Sequence, residues 1–331
     1  GGARTGVAIT DGADVTLLNS QVSGSNVNLF VSASTLIVED SEVFDGEYAG
    51  ALVGGESHIS VHDSSFRDNK EGHITVLGPN VSVDVQGLVA ENAPMDSCIS
   101  ITDTTLPVSI VNSDLSGCAG AGVNAYWVSD LTVKGSTIRD IHPDLVVGEM
   151  ADGVNVLDTQ GIISENTITD VQGNGVAVLR SSAQVLDNQI VATGNAGVDV
   201  VDQSGPATRI AGNRIESSRT AGVIVLNAEA IVEQNEIEGS IFRSDFGLGE
   251  GIAFGMGADV IIRENTISAN ERNGILFMDG ASGHIEANHF LENQRYGIFE
   301  FCVPDFAEND VTISENTYTQ NGLGEQQRCE K

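Results

Sequence analysis

The sequence predicts an all-β protein, a single solenoid of about thirteen stacked coils, on three observations. A short phrase, Asn-x-apolar, recurs through the C-terminal half at intervals of 22, 25, 22, 30, 23 and 28 residues. A second phrase, glycine followed by alternating apolar residues, falls between its copies. Within each copy the apolar residues lie two apart, which is the period of a strand and not of a helix.

The first phrase reads Asn166-Thr-Ile, Asn188-Gln-Ile, Asn213-Arg-Ile, Asn235-Glu-Ile, Asn265-Thr-Ile, Asn288-His-Phe and Asn316-Thr-Tyr. Toward the N-terminus the same slot is assigned to Ser20, Ser41, Ser64, Gly87, Ser113 and Ser136, which makes thirteen copies. The second phrase starts at Gly122, Gly153, Gly175, Gly197, Gly222, Gly251, Gly274 and Gly297, with weaker versions at Gly6 and Gly50. Alternation sends Val154 and Val156 inward and Asn155 outward. A repeat of about 22 residues holds roughly three short strands and three turns, and stacked copies share a core that one copy cannot build. Leucine-rich repeats have a similar period, but their Leu-x-x-Leu-x-Leu phrase and helical return are absent. Amides stacked at the strand spacing can hydrogen-bond along the axis, so Asn166, Asn188, Asn213, Asn235, Asn265, Asn288 and Asn316 are expected to form an internal Ser/Asn ladder. The plainer reading is that Asn tolerates a left-handed turn. Residues 1–331 are read as one domain, with coils over 1–318 and a tail or cap over 319–331.

The thirteen copies resemble the right-handed parallel β-helix of the pectate-lyase-like superfamily, over essentially the whole chain. The segment from Ile138 to Val156, which holds His142-Pro143-Asp144, resembles the long-loop rungs of β-helix surface proteins and lipoproteins of myxobacteria and related bacteria. That likeness implies a secreted or cell-surface protein with a structural, adhesive or glycan-binding role. The wider superfamily implies an alternative, a polysaccharide lyase, epimerase or hydrolase acting on uronate-rich glycan.

Composition narrows the partners. The 331 residues include 47 acidic and only 15 basic ones, for a net charge of −32. Such a charge repels phosphate backbones and anionic membranes, so nucleic acid is excluded as a partner. It suits cations, with calcium the candidate ion. No apolar run approaches the 18 or more residues of a membrane-spanning helix. The first rung begins almost at residue 1 without a visible cap, which suggests a piece of a longer precursor or an end packed against another chain.

Four cysteines suggest two bridges formed in an oxidising compartment. Cys98 and Cys118 lie 20 residues apart, about one coil, and Cys302 and Cys329 lie 27 apart. The expected pairs are therefore Cys98–Cys118 and Cys302–Cys329, the second pinning the tail; the alternative is four free thiols. Residues 90–97, 139–152 and 239–250 exceed the basic period at one turn, and 302–310 at the next. Loops gathered on one side of a rigid scaffold are where binding is expected, although surface drift produces them too.

Several side chains are candidates for chemistry. Counting from the lead glycines puts Asp158, Arg180 and Asp202 on consecutive rungs, with Asn155 and Asp199 projecting from the same strands as a polar, substrate-binding row. An ion-pair ladder relieving charge repulsion explains the same pattern. β-Helix lyases and epimerases draw an acid and a base from Tyr, His, Lys or Arg, and on that resemblance Tyr126, His142 and Arg180 could take those parts. The order Asp-Pro-His of the epimerases is absent, as are the polygalacturonase signatures. A lone loop histidine is more often simply solvated. Asp144, Glu149, Asp152 and Asp170 are calcium candidates, although no calcium loop motif appears. His58 and His62 share a face but stand about 13 Å apart along a strand, too far for one zinc ion. An outward apolar row, from Tyr126 and Leu157 to Met278 and Phe301, would mark an interaction surface unless the loops fold over it.

Overall fold

Left-handed corners at regular intervals turn short strands into coils. In the computed structural model, which describes residues 4–143, 151–203, 205–302 and 307–329, every strand is three to eight residues long and there is no helix among the described residues. One coil runs through Ala121–Val128, Leu131–Lys134 and Thr137–Ile141. Each strand of a coil joins a different one of three parallel sheets, so neighbours in a sheet are three strands apart in sequence. The result is a right-handed parallel β-solenoid of about 13 turns. No described helix is long and apolar enough to cross a membrane.

The chain forms two compact units, Gly1–Gly173 and Asn174–Lys331. In the first, register aligns Asn124 with Asn155 and Val123 with Val154 across the first sheet. Val154 and Val156 are fully buried and Asn155 is half-buried, as alternation requires. In the second unit Val198, Val223, Ile252, Ile275 and Ile298 continue one inward column. Phe254 and Phe277 stack at 5.6 Å, and Phe290 and Tyr318 at 5.2 Å. The strand Gly324–Gln327 lies within the expected tail and pairs with Tyr296–Glu300 in the first sheet.

The ladder forms inside each unit. In the second, the Asn188 side-chain amide donates to Asn213 Oδ1 at 3.0 Å, and the same bond links Asn213 to Asn235, Asn235 to Asn265, Asn265 to Asn288 and Asn288 to Asn316. Each Oδ1 also accepts the backbone N–H of the preceding member, as in Asn235 N to Asn265 Oδ1 at 2.9 Å. In the first unit serine hydroxyls accept those N–H groups, from Ser20 to Ser41 and from Ser41 to Ser64. The left-handed corner falls on the residue before the ladder, such as Asp187, Gln234 and Glu264. The Asn side chains are therefore selected for hydrogen bonding and not for positive φ.

One ladder assignment is corrected. Gly87 occupies the corner, at φ 66°, beside Asp63. The register of Ser65 with Val89 and Asp114 puts Leu88 in the slot between Ser64 and Ser113. Leu88 is fully buried and interrupts the polar column with an apolar side chain. A second ladder, Asn270 to Asn293 to Asn321, runs five residues behind the first, with amide bonds of 2.7 and 3.0 Å.

The lead glycines answer to packing. A Cβ on Gly222 would run into the Ile237 side chain, and one on Gly274 would lie 2.5 Å from Phe290 Cδ1. Both expected disulfides are present, with Cα–Cα distances of 5.4 Å for Cys98–Cys118 and 5.7 Å for Cys302–Cys329.

Candidate functional site

The sequence candidates are spread over several faces. Asp158, Arg180 and Asp202 are corner residues at φ 48°, 45° and 50°, at the end of the first-sheet strands. Asp158 belongs to the first unit and the other two to the second. Asp202 accepts a hydrogen bond from Asn227 at 2.8 Å. On the second sheet a carboxylate is held between two arginines: Glu233 Oε1 lies 2.7 Å from Arg209 Nε and its Oε2 2.8 Å from Arg263 Nε. Hydrogen bonds from Arg263 and Arg209 outweigh burial there and hold the Glu233 carboxyl below its usual range.

Tyr126 is half-buried beside the exposed Trp127, with ring centroids 6.3 Å apart. His142 is exposed and bridged to Ala119, seven residues before Tyr126. Tyr126 lies five residues past the start of its strand at Ala121, about 16 Å at strand rise. The two are not brought to one point. Asp144 and Glu149 lie outside the described residues. Asp152 is buried at a strand start and Asp170 is an exposed corner. Neither joins two further ligands into a cation site among the described residues. Among the described residues the one group of three ligand atoms that does gather is His73, Cys98 and Cys118, and its two sulfurs are already joined in the disulfide. His58 bonds Ser82 and His62 bonds Ser60, at 2.8 and 2.7 Å.

On the outer face of the first sheet, Asn155 donates to Asn124 at 2.9 Å. Asp199 stands between Ala177 and Ile224. Its Oδ1 is sealed from solvent and has no hydrogen-bond partner, and burial pushes its carboxyl up to about 6. The apolar row beyond it is mostly half-buried; in the second unit Leu248 of the 239–250 insertion packs with Ile224, Met278 and Phe299 against Ala253 and Leu276.

That insertion contributes Phe242 to a surface cleft, and sequence reasoning named the loop but not the residues. Arg243 ties it down, donating to Gly194 O at 2.9 Å and Asn195 Oδ1 at 2.7 Å, while its guanidinium lies 4.7 Å from the Phe246 ring. Arg272 ties its other end, bonding Gly247 O, facing buried Glu250 at 3.3 Å and lying 5.3 Å from the Phe242 ring. Burial raises the Glu250 carboxyl against the opposing pull of the Gly249 N–H, Arg272 and Asn273. A cleft of about 460 Å³ opens beside these groups, lined by Phe242, Glu271, Arg272, Gln294 and Arg295. Phe242 is 45% exposed, and its N–H donates to Glu271 Oε2 at 2.7 Å. The signal was present in the sequence: Arg272 and Arg295 each stand two residues before a lead glycine, in a chain poor in basic residues.

With the geometry in place, comparison identifies the architecture. A family model described as a right handed beta helix region matches residues 80–237 and 204–326. No curated protein matches the chain. Among solved structures it is similar to the periplasmic alginate epimerase AlgG, at 14% identity and TM-score 0.62 over 88% of this chain and 78% of that one. It is also similar to the Azotobacter vinelandii mannuronan C-5 epimerase AlgE4 A-module, at 14% identity and TM-score 0.56 over 89% of both chains. Likeness at such identity speaks for the fold alone. The chain belongs to the right-handed β-helix family.

Proposed function

We propose that this is a secreted or cell-surface β-helix protein that binds glycan in an adhesive role. The observation that carries the reading is the cleft of the 239–250 insertion, where an exposed aromatic ring and several polar side chains converge on a rigid scaffold. Two disulfides fit an oxidising compartment. The polar residues on and beside the outer face of the first sheet, Asn155 and Asp158 in one unit and Arg180, Asp199 and Asp202 in the other, offer further sugar contacts. A lyase or epimerase would need an acid and a base on one sugar ring, and the separation of Tyr126 from His142 argues against that pair.

The test is a glycan array probed with the whole chain and with a variant whose residues 241–248 are replaced by a short Gly-Ser turn. The reading expects retained glycans whose signal falls to background in the variant. An array on which no glycan is retained, or on which the variant binds equally, refutes it.

A further inference from the structure

We infer that the 239–250 cleft is a carboxylate-reading site, and that its ligand is an acidic sugar residue of a glycan. The inference rests on the proposed glycan-binding reading and adds the chemistry of the sugar. Among the described residues, ion pairs with Asp or Glu engage Arg67, Arg139, Arg209, Arg214, Arg243, Arg263, Arg272 and Arg328. Arg295 is exposed and makes no ion pair among the described residues. Arg4 and Arg219 likewise make none among the described residues, but of the three only Arg295 lines the cleft.

The Arg295 N–H bonds Arg272 O at 2.9 Å, so the two arginines leave the backbone one coil apart, at about 4.8 Å. Glu250 answers the charge of Arg272, and no described carboxylate pairs with Arg295. Arg272 is the fixed member, held by Glu250, by Gly247 O and against the Phe242 ring. Arg295 is the free arm, and a guanidinium offers paired N–H donors that match a carboxylate. Gln294 and Glu271, both exposed, supply an amide and a carboxylate oxygen for hydroxyls. The Phe242 ring supplies a flat apolar surface for the C–H face of a sugar. About 460 Å³ accommodates one or two sugar rings. The net charge of −32 opposes densely charged polyanions and leaves a single carboxylate as the anion the cleft can hold.

The experiment is calorimetric titration of the full chain with an otherwise neutral oligosaccharide carrying one uronic acid residue, and with the same oligomer after that carboxyl is reduced to a neutral alcohol. The carboxylated oligomer should bind at least tenfold tighter and weaken as salt rises. Arg295→Gln should reduce that affinity about 10- to 100-fold, the range for loss of a charged hydrogen bond. Arg4→Gln, an exposed arginine in the other unit, should leave it unchanged. Phe242→Leu keeps the loop apolar and should weaken oligomer binding while leaving capture of inorganic phosphate alone. Equal binding of the neutral oligomer, or no effect of Arg295→Gln, overturns the inference and leaves the glycan reading standing. Phosphate bound as tightly as the sugar and with the same dependence on Arg295 reduces the site to an anion trap and also overturns it. Failure of both oligomers, together with an empty glycan array, removes both.

Discussion

Asp199→Asn should stabilise the protein at neutral pH, and the gain should vanish in acid. The Asp199 carboxyl has one oxygen sealed from water and no hydrogen-bond donor beside it. Burial raises its pKa from 3.8 to about 6. Below pH 4 both folded and unfolded chains carry the proton, and the site costs nothing. Between about 4 and 6 the unfolded chain releases it first, so stability falls as pH rises through the folded value. Above that, a shift of roughly two units at 1.36 kcal/mol each gives a penalty of about 3 kcal/mol. Part of the residue reaches solvent, so this is an upper figure. An amide carries no charge to desolvate and escapes the pH-dependent penalty. Urea midpoints of wild type and Asp199→Asn at pH 4, 6 and 8 measure it, and repulsion among the many other carboxylates cancels in the difference. A variant-minus-wild-type difference that stays constant from pH 4 to 8 would refute the argument that Asp199 ionises at a cost.

The other predictions concern the scaffold. Asn265→Ala removes the acceptor of both the Asn235 N–H and its side-chain amide, and should cost roughly 3 kcal/mol in urea denaturation; Asn265→Ser should cost less, because serine fills that slot at Ser113 and Ser136. Each disulfide should contribute about 3 kcal/mol, for closed loops of 20 and 27 residues. Under graded reductant, mass spectrometry of alkylated protein should find Cys302, which is exposed, modified before the fully buried Cys98 and Cys118. His73 is fully buried with its Nε2 unpartnered, and burial lowers its pKa to about 3. Its stabilising neutral form is therefore lost only in acid: the first unit should weaken as pH falls from 6.5 toward 3, and the His73 ring proton resonances should stay constant from pH 8 to 4. Titration of that ring near pH 6 would contradict it.

Strand period, coil length, the ladder and both cysteine pairings were legible in the residues because each is a local pattern repeated many times. A repeat averages out the errors of any one copy, and a solenoid places equivalent residues one coil apart. Where one copy departs from the pattern, local reading slips: Gly87 resembles the small residues of the ladder, yet the register gives that slot to Leu88. The second ladder, Asn270, Asn293 and Asn321, was visible as Asn-x4-Asn but is outweighed by the stronger first phrase.

An all-β solenoid with its inward and outward faces follows from the residues alone, since period two and a repeat near 22 residues leave few other ways to bury the apolar side chains. Tertiary packing settles which arginines are consumed by carboxylates, where the 239–250 insertion lands, and that Asp199 loses its water. Those outcomes depend on where an irregular loop folds back, and an insertion that occurs once carries no repeat from which its path can be read.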